Sequence, residues 1–187
     1  LGTDRRFDEG QIYSFCPDIV LFYGWSDLIV NSIIEKYTCL MLHPSPLPKY
    51  RGGSPIQNQI IRGEIDSAVS IFQMDDGVDT GPIVRQQYLS LEGTLRSIFS
   101  RIEDIGSHLT KDIINNGLNA VDQDHSKATS FKRLTPDNSE ITLEELEHRS
   151  STYLANKIRM LQDPYPNPFI KTMDGKKIII KDIEVRD

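Results

Sequence analysis

Ile19-Val20-Leu21-Phe22-Tyr23 is an unbroken apolar run closed by Gly24, and it constrains the fold more than any other stretch of the chain. A strand with one wet face would alternate apolar and polar residues. A short continuous run bounded by a turn signal marks instead a strand buried on both faces, as in a parallel sheet. A second run, Cys39-Leu40-Met41-Leu42, follows it. Between the two, Asp27 suits an N-cap, and Leu28, Ile29, Ile33 and Ile34 share one side of a helix reaching Lys36. Strand, helix, strand predicts an open, mainly parallel α/β sheet. Sites in such sheets lie beyond the carboxyl ends of the strands, where Tyr23-Gly24-Trp25 and His43 fall.

The stretch after the second strand is unusual. His43-Pro44-Ser45-Pro46-Leu47-Pro48 carries three alternating prolines, each fixing its own φ and keeping the preceding residue out of helical geometry. A histidine at the mouth of so stiff a loop is well placed for proton transfer. Ser54-Pro55 then opens a short helix to about Arg62, and Val69 to Met74 alternates as a strand. Asp75-Asp76-Gly77-Val78-Asp79-Thr80-Gly81 is a tight acidic loop, with a strand over 83–88 beyond it. Residues 94–116 form a long amphipathic helix, with Ile98, Ile102, Ile105, Leu109 and Ile113 on one stripe and Gly117 as its stop. At the amino end, Phe7, Ile12 and Phe15 predict a helix over 7–15.

Residues 1–121 therefore read as one domain and 122–139, polar and without period, as a surface linker. Residues 140–187 read as a small α+β segment: helices from 142 and over 152–161, a proline-locked turn at 163–168, and a hairpin through Asp174-Gly175. The net charge of −6 argues against a broad nucleic-acid footprint. Cys16 and Cys39 lie in apolar runs without a C-x-x-C partner, which fits buried thiols in a reducing, cytoplasmic compartment and no metal site. No apolar stretch of ~20 residues is present, so no membrane partner is expected. The chain opens on Leu1 rather than methionine, and an amino-terminal segment is expected to precede it.

His43 and Asp79 could form a general acid/base pair, the carboxylate fixing the imidazole's tautomer; Asp75 and Asp76 compete for that role or serve the turn. Arg51 is either a solvated loop residue or a holder of an anionic ligand. Tyr23-Gly24-Trp25 offers open backbone and the only tryptophan, suited either to a flat heterocycle or to the core.

Together these motifs resemble the folate-dependent formyltransferases. That family's pattern runs N-x-H, S-x-L-P, R-G-x-x-P-I-Q, D-x-G-x-D-T-G. Here it reads Met41-Leu42-His43, Ser45-Pro46-Leu47-Pro48, Arg51-Gly52-Gly53-Ser54-Pro55-Ile56-Gln57 and Asp75-Asp76-Gly77-Val78-Asp79-Thr80-Gly81. Lys157 to Leu161 and Pro164-Tyr165-Pro166 also resemble the segment after the linker in the tRNA and sugar enzymes. The resemblance implies a Rossmann-like sheet whose first strands precede this chain, and formyl transfer from 10-formyltetrahydrofolate to a primary amine. The expected acceptor is a nucleotide-linked amino sugar, with initiator methionyl-tRNA a close second. By position, His43 would be the acid/base and Asp79 its orienting carboxylate. Tyr23, Gly24, Trp25 and Met74, Asp75, Asp76, Gly77 and Val78 would bind the pterin, and Ser45, Pro46, Arg51, Gly52 and Gly53 the substrate.

One departure bears on the chemistry. The family's catalytic asparagine falls on Met41, which has no hydrogen-bond donor. Loss of one oxyanion donor typically costs ~10²–10³ in rate. Formyltetrahydrofolate dehydrogenases also carry an apolar residue there and use water as acceptor, which keeps a 10-formyltetrahydrofolate hydrolase, or folate binding without turnover, as alternative readings.

Overall fold

The computed structural model describes residues 9–25 and 27–186. The expected 7–15 helix appears as α1 (Glu9–Phe15), its first two residues lying outside the described ones. Both apolar runs are strands, β1 (Ile19–Phe22) and β2 (Thr38–His43). They are parallel, paired from Ile19–Thr38 to Phe22–Met41. The crossover helix α2 (Asn31–Lys36) buries Ile33 completely against Phe22 and Cys39. It starts a turn later than Asp27 predicts. Val30 stands at its N-cap without a side-chain bond, and Leu28 stays exposed.

After β3 (Arg51–Gly52) and α3 (Pro55–Ile60), β4 (Asp66–Gln73) and β5 (Ile83–Ser90) complete a sheet of order β1-β2-β4-β5. The α/β fold is the expected one. Among the described strands its parallel pairing is confined to β1–β2, since β4 runs antiparallel to β2 and β5 to β4. The loop over 74–82 is the reason for the last pairing: a parallel return needs a crossover of about a dozen residues or more.

Helix α4 (Leu95–Asn116) covers the sheet with Leu95, Ile98, Ile102, Leu109 and Ile113. Its ends are those expected: Thr94 Oγ1 accepts from Ser97 N at 3.2 Å, and Gly117 turns out of the helix at φ 79°. Gly106 sits mid-helix, at a cost of about 1 kcal/mol relative to alanine. A Cβ there would stand 2.5 Å from Leu42 Cδ1, so the glycine allows α4 to lie close on β2, beside His43.

Residues 122–139, expected as a linker, contain β6 (Ser130–Phe131), which pairs with β3 in parallel, Arg51 with Ser130 and Gly52 with Phe131. Helices α5 (Leu143–His148) and α6 (Ser151–Met160) follow, then the hairpin β7 (Phe169–Lys171) and β8 (Lys177–Ile179). Met160 and Leu161 belong to the same apolar core as Leu40, Val69 and Ile98, so the carboxy-terminal segment is packed into the main core. Among the described residues no helix is long and apolar enough to cross a membrane.

Candidate active site

β2 ends at His43, a buried residue. Nε2 lies 2.8 Å from the carbonyl oxygen of Tyr50. A carbonyl only accepts, so Nε2 carries the hydrogen and the neutral ring presents its lone pair at Nδ1. Nδ1 faces Asp79 Oδ2 at 3.5 Å, too far for a hydrogen bond and close enough for an ion pair once the ring is charged. In the charged ring both nitrogens donate, one to Tyr50 and one toward Asp79. The proline loop makes this possible by turning the chain back under the histidine. Ser45 N donates to His43 O and Leu47 N to Ser45 O, both at 2.9 Å, and Ser70 Oγ donates to Ser45 O at 2.6 Å.

Asp79 comes from an unexpected direction. Because β4 is antiparallel to β2, Gln73 lies opposite Leu40, three residues short of His43. The loop that leaves β4 must double back to bring its carboxylate to the ring. Asp75 serves that fold. Its Oδ1 accepts from Gly77 N at 3.1 Å and from Thr80 Oγ1 at 2.6 Å. Asp79 sits in the left-handed region at φ 54°, a geometry aspartate tolerates better than most residues, and it is 9% exposed. Gly52 N donates to its Oδ2 at 2.7 Å.

Arg51 does not reach toward solvent. It is 6% exposed, and its Nε and Nη2 donate to Gln123 Oε1 at 3.2 and 2.6 Å, with Nη2 3.2 Å from His125 Nδ1. Gln123 in turn donates from Nε2 to Asp79 O at 3.0 Å and Gly81 O at 2.6 Å. Gln123 carried no signal in the sequence, standing as one polar residue in an aperiodic stretch. It is brought there by the bridge that pairs Val121 with Ile83.

The other expected ligand contacts divide in two. Ser45 is fully buried with its hydroxyl donating to Lys49 O at 2.8 Å, and Pro46 accepts from Lys49 N within the same loop. Gly52 and Gly53 allow close backbone passage. A Cβ on Gly52 would meet Phe131 O at 2.4 Å, and one on Gly53 would meet Arg133 Cα at 2.4 Å. These residues, with Arg51, are engaged in contacts within the chain beside His43 and Asp79. Trp25 packs edge-on to Phe22, and Met41 and Met74 pack against the same apolar cluster. Trp25 is half-buried at the margin of that cluster. Tyr23 hydrogen-bonds Thr110 at 2.6 Å; burial pushes its hydroxyl up, partly offset by that bond.

Gly24, Asp76, Gly77 and Val78 are exposed, though Gly77 is held by Asp75 and closed in by Thr80. Nothing stands within 4 Å of a Cβ position on Gly24, and Val78 is 57% exposed. An unobstructed glycine and an uncovered apolar side chain are each suited to a flat heterocycle such as a pterin. Among the described residues no cluster of three histidine, cysteine or acidic side chains could hold a metal.

The chain is thus an open α/β domain with a buried histidine facing a loop carboxylate at the end of a central strand. The formyl transferase family profile matches residues 6–113, and the chain belongs to that family. It is 35% identical to methionyl-tRNA formyltransferase of Lachnospira eligens, with 100% of this chain aligned to 61% of that protein. The chain thus spans about three-fifths of that relative's length. The structure of methionyl-tRNA formyltransferase from Clostridium thermocellum superposes with a TM-score of 0.81 at 32% identity, covering 91% of this chain and 79% of that one. A sugar N-formyltransferase from Shewanella shares the fold, with a TM-score of 0.75 at 17% identity over 96% of this chain and 76% of that one.

Proposed function

We propose that the protein moves the formyl group of 10-formyltetrahydrofolate to the amine of methionyl-tRNA, with His43 as acid/base and Asp79 as its charge partner. The observation that carries the chemistry is the orientation of His43. Tyr50 O fixes the Nε2 hydrogen, so the basic nitrogen is Nδ1, and it faces a carboxylate. 10-Formyltetrahydrofolate supplies the activated formyl carbon that the acceptor amine attacks. As the amine attacks, Nδ1 accepts its proton and the resulting imidazolium is stabilised by Asp79, itself held by Gly52 N–H. The formyl carbon–N10 bond then breaks, and the imidazolium returns the proton to N10 as tetrahydrofolate leaves. Positioned proton transfer of this kind contributes ~10²–10⁴ in rate. Gly24 and the Asp76–Val78 backbone would line the folate ring.

Relatives above 30% identity carry the methionyl-tRNA name, whereas the sugar enzyme lies at 17%, so tRNA displaces the amino sugar favoured by the chain's acidic composition. A second reading rests on Met41, which packs against apolar side chains and brings no donor to the acceptor. In that reading water is the acceptor and the protein is a 10-formyltetrahydrofolate hydrolase.

One assay separates them: tetrahydrofolate release by the full-length protein, with charged methionyl-tRNA, a nucleotide-linked 4-amino sugar, a 3-amino sugar, or no amine. Release dependent on methionyl-tRNA is expected. Dependence on a sugar amine would reassign the acceptor, and release with no amine would establish the hydrolase.

A further inference from the structure

We infer that Gln123 is a positioning residue for Asp79, so that a side chain 44 positions away sets the geometry of the proton-transfer pair. This rests on the reading of His43 and Asp79 as that pair.

The amide of Gln123 cannot turn. Its oxygen is clamped by two nitrogens of the Arg51 guanidinium, which only donates. The nitrogen end must then point the other way, and both its hydrogens are used, on Asp79 O and Gly81 O. Those two carbonyls flank the turn in which Asp79 holds φ 54°, a conformation with few intrinsic supports in a residue bearing a Cβ. The direction of the Asp79 carboxylate follows from that backbone. Its far end is held by Gly52 N, and Gly52 is the neighbour of Arg51 on β3. Asp79 is thus gripped at its main chain through Gln123 and at its carboxylate by Gly52, and Arg51 ties the two grips to one strand. Gln123 is 5% exposed, so water does not substitute readily for it. Glutamate would keep the acceptor for Arg51 but set a carboxylate against two carbonyls. Methionine would keep the volume and lose all four bonds.

The test is a double-mutant cycle in the full-length protein, using 10-formyltetrahydrofolate and the amine that the acceptor assay identifies, or water if none is required. Gln123→Met is expected to lower kcat ~10–100-fold, as small misplacements of catalytic groups do, with KM for both substrates little changed. In an Asp79→Asn background the same substitution should leave kcat unchanged. A merely structural role would lower folded protein in both backgrounds alike, and additive losses in kcat would overturn the inference. Gln123→Glu, which retains the Arg51 contact, provides the same comparison if the methionine variant does not fold. Should Asp79→Asn alone leave kcat unchanged, the reading of the pair itself fails, an outcome distinct from failure of Gln123 to act through it.

Discussion

Two buried polar clusters lie on opposite sides of the 122–139 segment in sequence, and they differ in how completely they are satisfied. In the carboxy-terminal one, Lys157 Nζ donates to Glu140 O at 2.6 Å and to Glu145 Oε1 and Oε2 at 2.8 and 2.7 Å. That uses all three ammonium hydrogens. Glu145 also accepts from Thr142 N and Tyr153 Oη, each at 3.1 Å. At the end of β2, by contrast, His43 and Asp79 stand 3.5 Å apart, and Asp79 takes one backbone hydrogen bond on its carboxylate. A saturated cluster has nothing left to offer a ligand and fixes the fold. A cluster with an unfilled gap between a base and a carboxylate can accept a proton. Burial alone does not distinguish the two, since Lys157 and His43 are both 5% exposed.

The sharpest way to break this contrast is His43→Ala. Formyl transfer should fall at least ~10²-fold, while folate binding measured by fluorescence and the urea midpoint change little. Near-wild-type turnover would mean that the open cluster does no chemistry. Lys157→Met should do the reverse. Removing one partner of a buried pair costs about 3–5 kcal/mol, so the urea midpoint should drop sharply while kcat per folded molecule holds. A loss of kcat without loss of stability would show that the saturated cluster takes part in function.

Acid should discriminate next. Burial pushes the Glu145 carboxyl up, but the bond from Lys157, with those from Thr142 N–H and Tyr153, outweighs it and holds the group below the usual carboxylate range. A depressed folded value means that this stabilisation is present above the ordinary carboxylate range and lost as pH falls through the folded one. The wild type should therefore lose more stability than Lys157→Met on acidification, and parallel curves for the two would contradict the assignment. The smallest effect concerns thiols. Burial pushes Cys39 up to about 11, whereas Cys16 is exposed. An aromatic disulfide reagent at neutral pH should titrate one thiol per native chain rapidly and the second only on unfolding.

Much of this was legible in the sequence. The two apolar runs became β1 and β2 because continuous apolarity at strand length has few other outlets, and Thr94 and Gly117 bounded α4 because capping is local chemistry. His43 and Asp79 were found as a pair through the motifs that carry them. Less legible was what surrounds the pair. Arg51, Gly52, Gly53 and Ser45 stood in the same motifs and were expected to meet substrate. Arg51 hydrogen-bonds Gln123, Ser45 bonds Lys49 and Gly52 N bonds Asp79, while the two glycines make way for Phe131 and Arg133. A motif preserves the residues a site requires without saying which side of it each one occupies.

The sequence by itself determined where chain segments become strands and helices, and which histidine and carboxylate are candidates for a pair. Those are decisions of local sterics, apolar periodicity and side-chain chemistry. Only the tertiary structure decided that β4 returns antiparallel, that the acidic loop doubles back onto β2, and that the 122–139 stretch supplies the residue gripping Asp79. Each depends on contacts between segments tens of residues apart, whose energies arise from packing and hydrogen bonds that no local pattern records.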